Sequence, residues 1–479
     1  MAQQKDVSTP SREQREMIDE ARPIRTLVNG TAAMRAAGEE YLPREVAESI
    51  DSYEKRKKRS TLFNATGKTV LDMTGKVFTK PIVVDPKAVD ADMQAWFANV
   101  DNAGQSLNVF AAKAFYDALQ PGIGYIYVDA PQKPTRPDNQ EPTIADYQAA
   151  KWRPFFRYVC LEDLIGWKSE VINGAPTLTQ IRLKECDSEP DPKNPYENVE
   201  VEQIRVVTRG AGNCIWETFR QVEKDGKKEW VLHESGTISL PEIALFPIYI
   251  NRDEFMEACP PLAKLAELNI KHWQLDSDLT NIMHVACVPI LFGAGFGEQD
   301  KLVIGAAEMV QSSNPDAKLT YVEHTGAAIG TAQTRLDKLE LQMQTMGLQL
   351  LIDQAGGQTA TGETRDNIKE NSPLAMMADA LEQALTQAAG AMAKLGGQTE
   401  PKPGSIKINK DFGISNAGDL QYLVQLALGG KIDNETLLEE LKRRNVISEH
   451  ADIETILARL DAQAPDVQTP PGKGMNLGN

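Results

Sequence analysis

The residues that could do chemistry in this chain do not gather into a catalytic pattern. The five histidines are His233, His272, His284, His324 and His450. His272 and His284 share a helical stretch, but their spacing is about 3.3 turns, roughly 120° of rotation, so they cannot share one metal. The five cysteines, Cys160, Cys186, Cys214, Cys259 and Cys287, include no CxxC pair and are odd in number. Reduced thiols are expected, not a zinc site or a disulfide framework. Gly293-Ala-Gly295-Phe-Gly297 lacks both the Gly-Lys-Ser/Thr ending of a phosphate loop and the dinucleotide spacing. No GxSxG, HExxH or kinase set occurs. The carboxylate pairs Asp276/Asp278 and Glu439/Glu440 fall on helix surfaces. No catalytic residue, metal or cofactor is expected, and the chain does not read as an enzyme.

The element that must position most of these groups is residues 259–296. Pro260 and Pro261 suit a first helical turn. Leu262, Leu265, Leu268, Ile270, Leu275, Leu279, Ile282 and Met283 then recur at three- and four-residue steps until Pro289. Such a helix is roughly 40 Å long. Its polar members, Asn269, His272, Trp273, Asp276, Ser277, Asp278, Asn281 and His284, predict a side that faces water. A second long helix spans about 333–353. In it Leu336, Leu339, Met343, Met346 and Leu350 form a heptad seam whose natural partner is the first helix. Gly347 weakens that helix somewhat.

The 479 residues allow two or three domains, and 41% hydrophobic with 25% charged residues is a globular composition. A formal charge of −17 argues against holding DNA by phosphate neutralisation, and equally serves solubility. The first residues lack the apolar core of a signal peptide. No apolar run reaches the ~18 residues of a membrane span.

Residues 1–38 are polar and predict an arm with helical patches at 11–22 and 26–37. Residues 49–68 predict one helix with a basic centre, Lys55-Arg56-Lys57-Lys58-Arg59, read as a solvated or subunit-facing surface before a nucleic-acid patch. A strand at 82–85 precedes a helix over 89–118. Strands are expected at 122–131, 155–160, 179–186, 201–209, 215–222 and 230–238, with a hairpin turn at 224–227 and a Pro- and Asp-rich loop at 187–195. Short strands lie between the two long helices. Residues 354–364 have three glycines and no large apolar group, so the loop must be mobile or tethered by partners. An Ala- and Met-rich helix over 365–395 and a strand at 405–412 follow. Asp433 and Thr436 cap a later helix in a helix-turn-helix shape after Gly429-Gly430. Its basic residues, Lys442, Arg443 and Arg444, cluster at the C-terminal end, where the helix dipole explains them better than DNA does.

The string PPLAKLAELNIKHWQLDSDLTNIMHVACVPILFGAGF resembles the corresponding segment of tailed-phage portal proteins, the ring-shaped head-to-tail connectors of double-stranded DNA phages. Further segments agree in order: YLPR at 41–44, YEKRKKRSTLFN at 53–64, GKVFTKP at 75–81, FAAKAFYDALQPGIGYIYVDAP at 110–131, RPFFRY at 153–158, DLIGW at 163–167, TATGETRD at 359–366 and residues 429–446. The resemblance covers roughly residues 40–460.

It implies an α+β portal-like fold: an N-terminal arm (1–38), a wing (39–258), a first stem helix (259–286), a small α/β clip (287–330) and a second stem helix (331–353). A tunnel loop (354–366), a long helix returning to the wing (367–414), a helical crown (415–463) and a disordered tail (464–479) would follow. Gln354, Gly356, Gly357, Gln358, Thr359, Thr361, Glu363 and Arg365 would line the channel. Lys271, Gln274, Asp276 and Asp278 would face the lumen or the adjacent subunit. The implied assembly is a homo-oligomeric ring, of twelve subunits in the family, at a virion vertex and assembled in a host bacterial cytoplasm. Its partners would be the terminase large subunit, a head-tail adaptor, the major capsid and scaffolding proteins, and double-stranded DNA passing non-specifically; no membrane is implied. The rival readings are a phage nuclease or ATPase and another connector component.

Overall fold

A computed structural model describes residues 6–132, 134, 136, 142–224, 226–286, 290–295, 314–322, 327–351, 373–410, 412, 426–427, 431–443, 447 and 453–463. At 44% helix and 25% strand, with the two segregated along the chain, it is α+β. Two units divide it, Met1–Phe412 and Gly413–Asn479.

The N-terminal stretch is built into the first unit and is no arm. Helix α1 (Arg12–Val28) begins at Ser11, whose hydroxyl accepts from the Gln14 backbone N–H at 3.2 Å. Gln14, Met17, Ala21, Ile24 and Leu27 form its buried side, a stripe at three- and four-residue steps hidden within a polar composition. Helix α2 (Gly30–Ala37) follows.

Two expected single helices are each broken in the middle. The 49–68 helix is α3 (Ile50–Arg59) and α4 (Ala65–Val77), parted where Ser60 turns extended and Asn64 restarts the chain by accepting from Gly67 N–H at 2.8 Å. The 89–118 helix is α5 (Ala91–Phe97) and α6 (Leu107–Ala118). Between these, Asn102 and Gly104 take left-handed φ values of 59° and 100°, which no helix continues through. The Asp101 carboxylate accepts from Ala103 and Gln105 N–H, and Ser106 caps α6.

Strand β2 (Ile123–Asp129) is buried throughout and lies between β3 (Phe155–Val159) and β9 (Leu245–Tyr249) in an antiparallel sheet. Its alternation divides two cores. Ile126 and Val128 join the core built on α4, α6 and α10 (Pro373–Gly396), while Ile123, Tyr125 and Tyr127 join a second core against the larger sheet. Helix α1 bridges both, through Ile24 and Leu27 to the first and Met17 and Ala21 to the second.

The larger sheet is a five-stranded antiparallel meander: β4 (Leu164–Ile172), β5 (Ala175–Pro190), β6 (Asn198–Arg209), β7 (Cys214–Lys224) and β8 (Lys227–Ile238). The strands expected there are present but longer, and β5 runs through Pro190 into what reads as a loop. Lys224 pairs with Lys227 at the foreseen hairpin. Strands β4 and β9 were not foreseen. A short helix α7 (Ile144–Ala149) and a two-residue pairing of β1 (Val83–Val84) with β12 (Ile406–Lys407) complete the body.

From the body rise α8 (Ala263–Ala286) and α9 (Ala327–Leu351), with β10 (Ile290–Ala294) and β11 (Lys318–Val322) paired antiparallel between them. Helix α9 begins six residues before its expected start at about Gln333. Helix α10 is described from Pro373, and residues 352–372, including the expected tunnel loop, lie outside the described residues. In the second unit α11 (Asn434–Arg443) and α12 (Ile453–Gln463) are described. Asp433 caps α11 as expected, accepting from Thr436 N–H at 2.6 Å. The preceding helix, expected from 416, and the tail 464–479 fall largely or wholly outside the described residues.

Candidate functional site

Helix α8 was expected to turn its polar residues to water; His284 is exposed, but four of the others are not. Asn269, His272, Trp273 and Ser277 are all buried. Burying a polar side chain costs free energy unless its donors and acceptors are matched. Asn269, Ser277 and His272 Nε2 find partners on the N-terminal segments and α9, whereas His272 Nδ1 and Trp273 Nε1 have no hydrogen-bond partner among the described residues. The Asn269 oxygen accepts from Thr66 N–H and Thr66 Oγ1, each at 3.0 Å, while its Nδ2 donates to Phe63 O at 2.8 Å. Ser277 Oγ pairs with Ser60 Oγ at 2.7 Å. His272 Nε2 lies 3.2 Å from Glu340 Oε1 on α9, and its ring packs 5.3 Å from Phe63. The run of mixed spacing that suggested a wet face therefore marks a helix packed on two sides.

Arg56 is the hub of this seam. It belongs to the basic run read as a surface, yet its side chain is 4% exposed. Its donors go to both Glu48 oxygens (2.9 and 2.8 Å), Pro43 O (2.9 Å), Asp278 Oδ1 (3.1 Å) and Ser277 Oγ (3.4 Å). That exhausts a guanidinium. One run thus mixes solvated lysines with a structural arginine, and Arg59 adds a bond to Asn281 Oδ1 at 2.8 Å. The hydrogen bonds from Arg56 hold the Glu48 carboxyl below its ordinary range. Burial holds Asp278 above it, Arg56 notwithstanding, because the guanidinium is already answered by Glu48.

The four residues assigned to the lumen are divided by this geometry. Lys271 is exposed. Gln274 donates to Tyr41 O at 3.0 Å and Asp278 is committed to Arg56, so both serve their own chain. Asp276 stands one turn beyond His272; burial raises its pKa, His272 lowers it and Glu340 raises it further. Asp276 and Asp278 are both half-buried and neither is swallowed in the core. Of the heptad residues, Leu336, Leu339 and Met343 are buried and Met346 packs against the core. The Leu350 side chain lies outside the description.

Helices α8 and α9 run antiparallel, since His272 meets Glu340 near the body and Ile290 pairs with Val322 at the far end. From His272 to Ala286 the pair extends about 20 Å. Beyond the seam Ile282 and Met283 are each 43% exposed and Phe292 on β10 is 55% exposed, while Leu341 on α9 is 63% exposed. The core of the expected clip and the channel residues Gln354, Gly356, Gly357, Gln358, Thr359, Thr361, Glu363 and Arg365 lie outside the described residues.

Two other charged clusters belong to the body. Arg205 meets Asp129 at 3.1 Å and Glu185 at 2.9 Å, with Arg157 also on Glu185, where the two sheets join. A hollow of about 600 Å³ lies between α6 and β3, lined by Ala112, Lys113, Tyr116, Asp117, Tyr158, Cys160 and Asp163. Burial, reinforced by Asp163, pushes the Cys160 thiol up, which keeps it protonated and unreactive. Among the described residues no group of three or more His, Cys, Asp or Glu is placed to hold a metal, and no helix is long and apolar enough to cross a membrane.

Sequence reasoning missed Arg56, Glu48, Thr66, Ser60 and Glu340. Only the basic run offered a signal, and it was read outward.

A family model described as a domain of unknown function (DUF4055) matches residues 261–395, the stretch from the start of α8 to the end of α10. A search of curated proteins returns no match. Among solved structures, the chain is similar to one from the virion of a native gene transfer agent particle, at 12% identity and a TM-score of 0.39, covering 87% of this chain and 98% of that one. It is also similar to chains from the neck of the native particle computed with C12 symmetry (12%, TM-score 0.38, 86% and 98%) and of the empty particle computed with C6 symmetry (12%, TM-score 0.37, 85% and 97%). At these TM-scores the likenesses carry no assignment of their own.

Proposed function

We propose that this chain is a portal-type subunit: many copies stand side by side around an axial hole at one vertex of a phage-like head, forming the channel through which double-stranded DNA is packaged and later released. The observation that carries this reading is the pair α8–α9, locked at its base into the body by Arg56 and Asn269 and carrying the β10–β11 pair at its far end. A lone globular protein has no use for a projecting antiparallel strut with Ile282, Met283 and Leu341 left in water. Neighbouring struts packed around an axis would cover them. A net charge of −17 suits a channel that DNA must slide through without sticking.

On this reading the work is mechanical, and the chain itself is not an enzyme. The terminase large subunit supplies the energy, a head-tail adaptor docks at the strut tip, and capsid and scaffolding proteins hold the body. Residues 354–366 form the channel constriction. Electron microscopy of the purified protein tests the core of the proposal: rings with a central hole are expected, and a particle that stays monomeric at all concentrations overturns it. Deleting 354–364 should leave rings intact while impairing packaging or retention of DNA; loss of rings on that deletion counts against the constriction.

A further inference from the structure

Two strongly exposed apolar residues are held in place by the ion pair of Arg56 with Glu48. Val46 is fully exposed and Ile50 is 70% exposed. Both sit on the segment 43–50, which is clamped at each end by Arg56, through Pro43 O and through Glu48. Within the segment Glu48 N–H donates to Glu45 O at 2.9 Å, Glu45 N–H to Glu48 Oε2 at 3.3 Å, and Arg44 to Glu48 O at 3.1 Å. An exposed valine on a slack loop is unremarkable. One displayed on a loop this tightly tied has already lost the freedom that docking would cost.

The hollow between α6 and β3 has the opposite character. Ala112, Tyr116 and Tyr158 give it apolar walls, and exposed Lys113 stands at its rim. The Tyr158 hydroxyl and Arg25 both bond Asp117, which fixes one side. No ion pair engages Lys113 within the chain, and none engages exposed Glu45 beside Val46, among the described residues. One surface is thus a tied-down apolar projection flanked by an unanswered carboxylate. The other is an open depression with apolar walls, where Lys113 is unanswered while Asp117 is engaged by Arg25 and Tyr158 and Asp163 by Cys160.

We propose that these two surfaces meet between neighbouring copies of this chain: Val46 of one copy seats in the α6–β3 hollow of the next, with Glu45 facing Lys113. Two different patches that fit each other make a head-to-tail contact, the kind that closes into a ring when the rotation per subunit is right. The inference rests on the ring reading and names a surface of the body for it, separate from the struts.

The test measures the concentration for half-assembly of the full chain by light scattering and native mass spectrometry. V46D should raise it at least about tenfold, a buried anchor being lost. E45K and K113E should each raise it about three- to tenfold, and the double variant E45K/K113E should return it toward wild type. All three positions are exposed, so thermal unfolding of the isolated chain should not move. Wild-type assembly by V46D, or a double variant no better than its singles, overturns this contact while leaving the ring reading intact. A wild-type chain that never assembles overturns both.

Discussion

Arg56, buried at the base of the strut, and Arg205, partly buried at the junction of the sheets, solve the same problem with different redundancy. Each places a guanidinium among carboxylates inside the protein. Arg56 has every donor matched, but it stands alone: no second cation reaches Glu48 at ion-pair distance among the described residues. Arg205 shares Glu185 with Arg157, stacks on Trp216 at 5.4 Å, and holds its Nε close to Glu185 without an aligned hydrogen bond. Burial also raises the Asp129 carboxyl, so that group can take up a proton if its partner is removed. In ion pairing, the strut base relies on one saturated arginine and the sheet junction on a cluster with slack.

The sharpest test of that contrast is truncation. R56A leaves Glu48 buried without a cation and opens the joint between α3 and α8, which should cost about 3–5 kcal/mol. R205A should cost about 1–3 kcal/mol less, because Arg157 remains on Glu185 and Asp129 can neutralise. Urea unfolding of both variants measures the difference, and a larger loss at Arg205 would reverse the assignment. N269A probes the same base without charge. It strands Thr66 N–H in the interior and takes one of two bonds from Phe63 O, which keeps Ala65 N–H, and about 1–3 kcal/mol is expected from the lost bonds and the group left unpaired.

Acid separates the two clusters by sign. The Glu48 carboxyl is depressed in the folded protein, so it contributes stability above its ordinary value near 4.5, lost as pH falls through the folded value. Asp129 is raised, so the folded state takes its proton first, and stability is gained as pH falls through that value toward the ordinary 3.8. Below about pH 4.5, E48Q should therefore flatten the acid loss, whereas D129N should steepen it by removing the opposing gain. Chemical unfolding across pH 3 to 6 reads both slopes, and parallel slopes in the two variants would show that the clusters are equivalent.

How much of this was legible depended on whether the signal was periodic. The strut helices, the heptad spacing of Leu336, Leu339 and Met343, four of the five strands of the meander and the Asp433 cap follow from spacing within one segment. What escaped was pairing between distant segments. Asn269 looks like a wet residue until Thr66 is beside it, and Arg56 looks like one lysine-like charge among five until Glu48 and Asp278 arrive from either side. The helix breaks at Ser60 and Asn102 were missed because propensity alone carries a helix through them, while local caps and left-handed backbone end it. The polar stretch 1–38 hid a buried stripe for the same reason: composition averages over faces that packing distinguishes.

Gly347 gives the finest probe of the strut base, because there spacing and contact pull in opposite directions. A glycine inside α9 costs about 1 kcal/mol against alanine, so its presence needs a reason. A Cβ at that position would stand 3.0 Å from Thr69 Oγ1 on α4 and 3.8 Å from its methyl. Thr69 is not free to swing away, since its hydroxyl donates to Ala65 O at 2.9 Å. G347A should therefore change stability by no more than about 0.5 kcal/mol, the helical gain being offset by the crowding of α4. In a T69A background the crowding is gone, and G347A should stabilise by about 0.5–1 kcal/mol. If the alanine is as neutral there as in the wild type, the close approach of α4 to α9 is not what keeps a glycine in the strut.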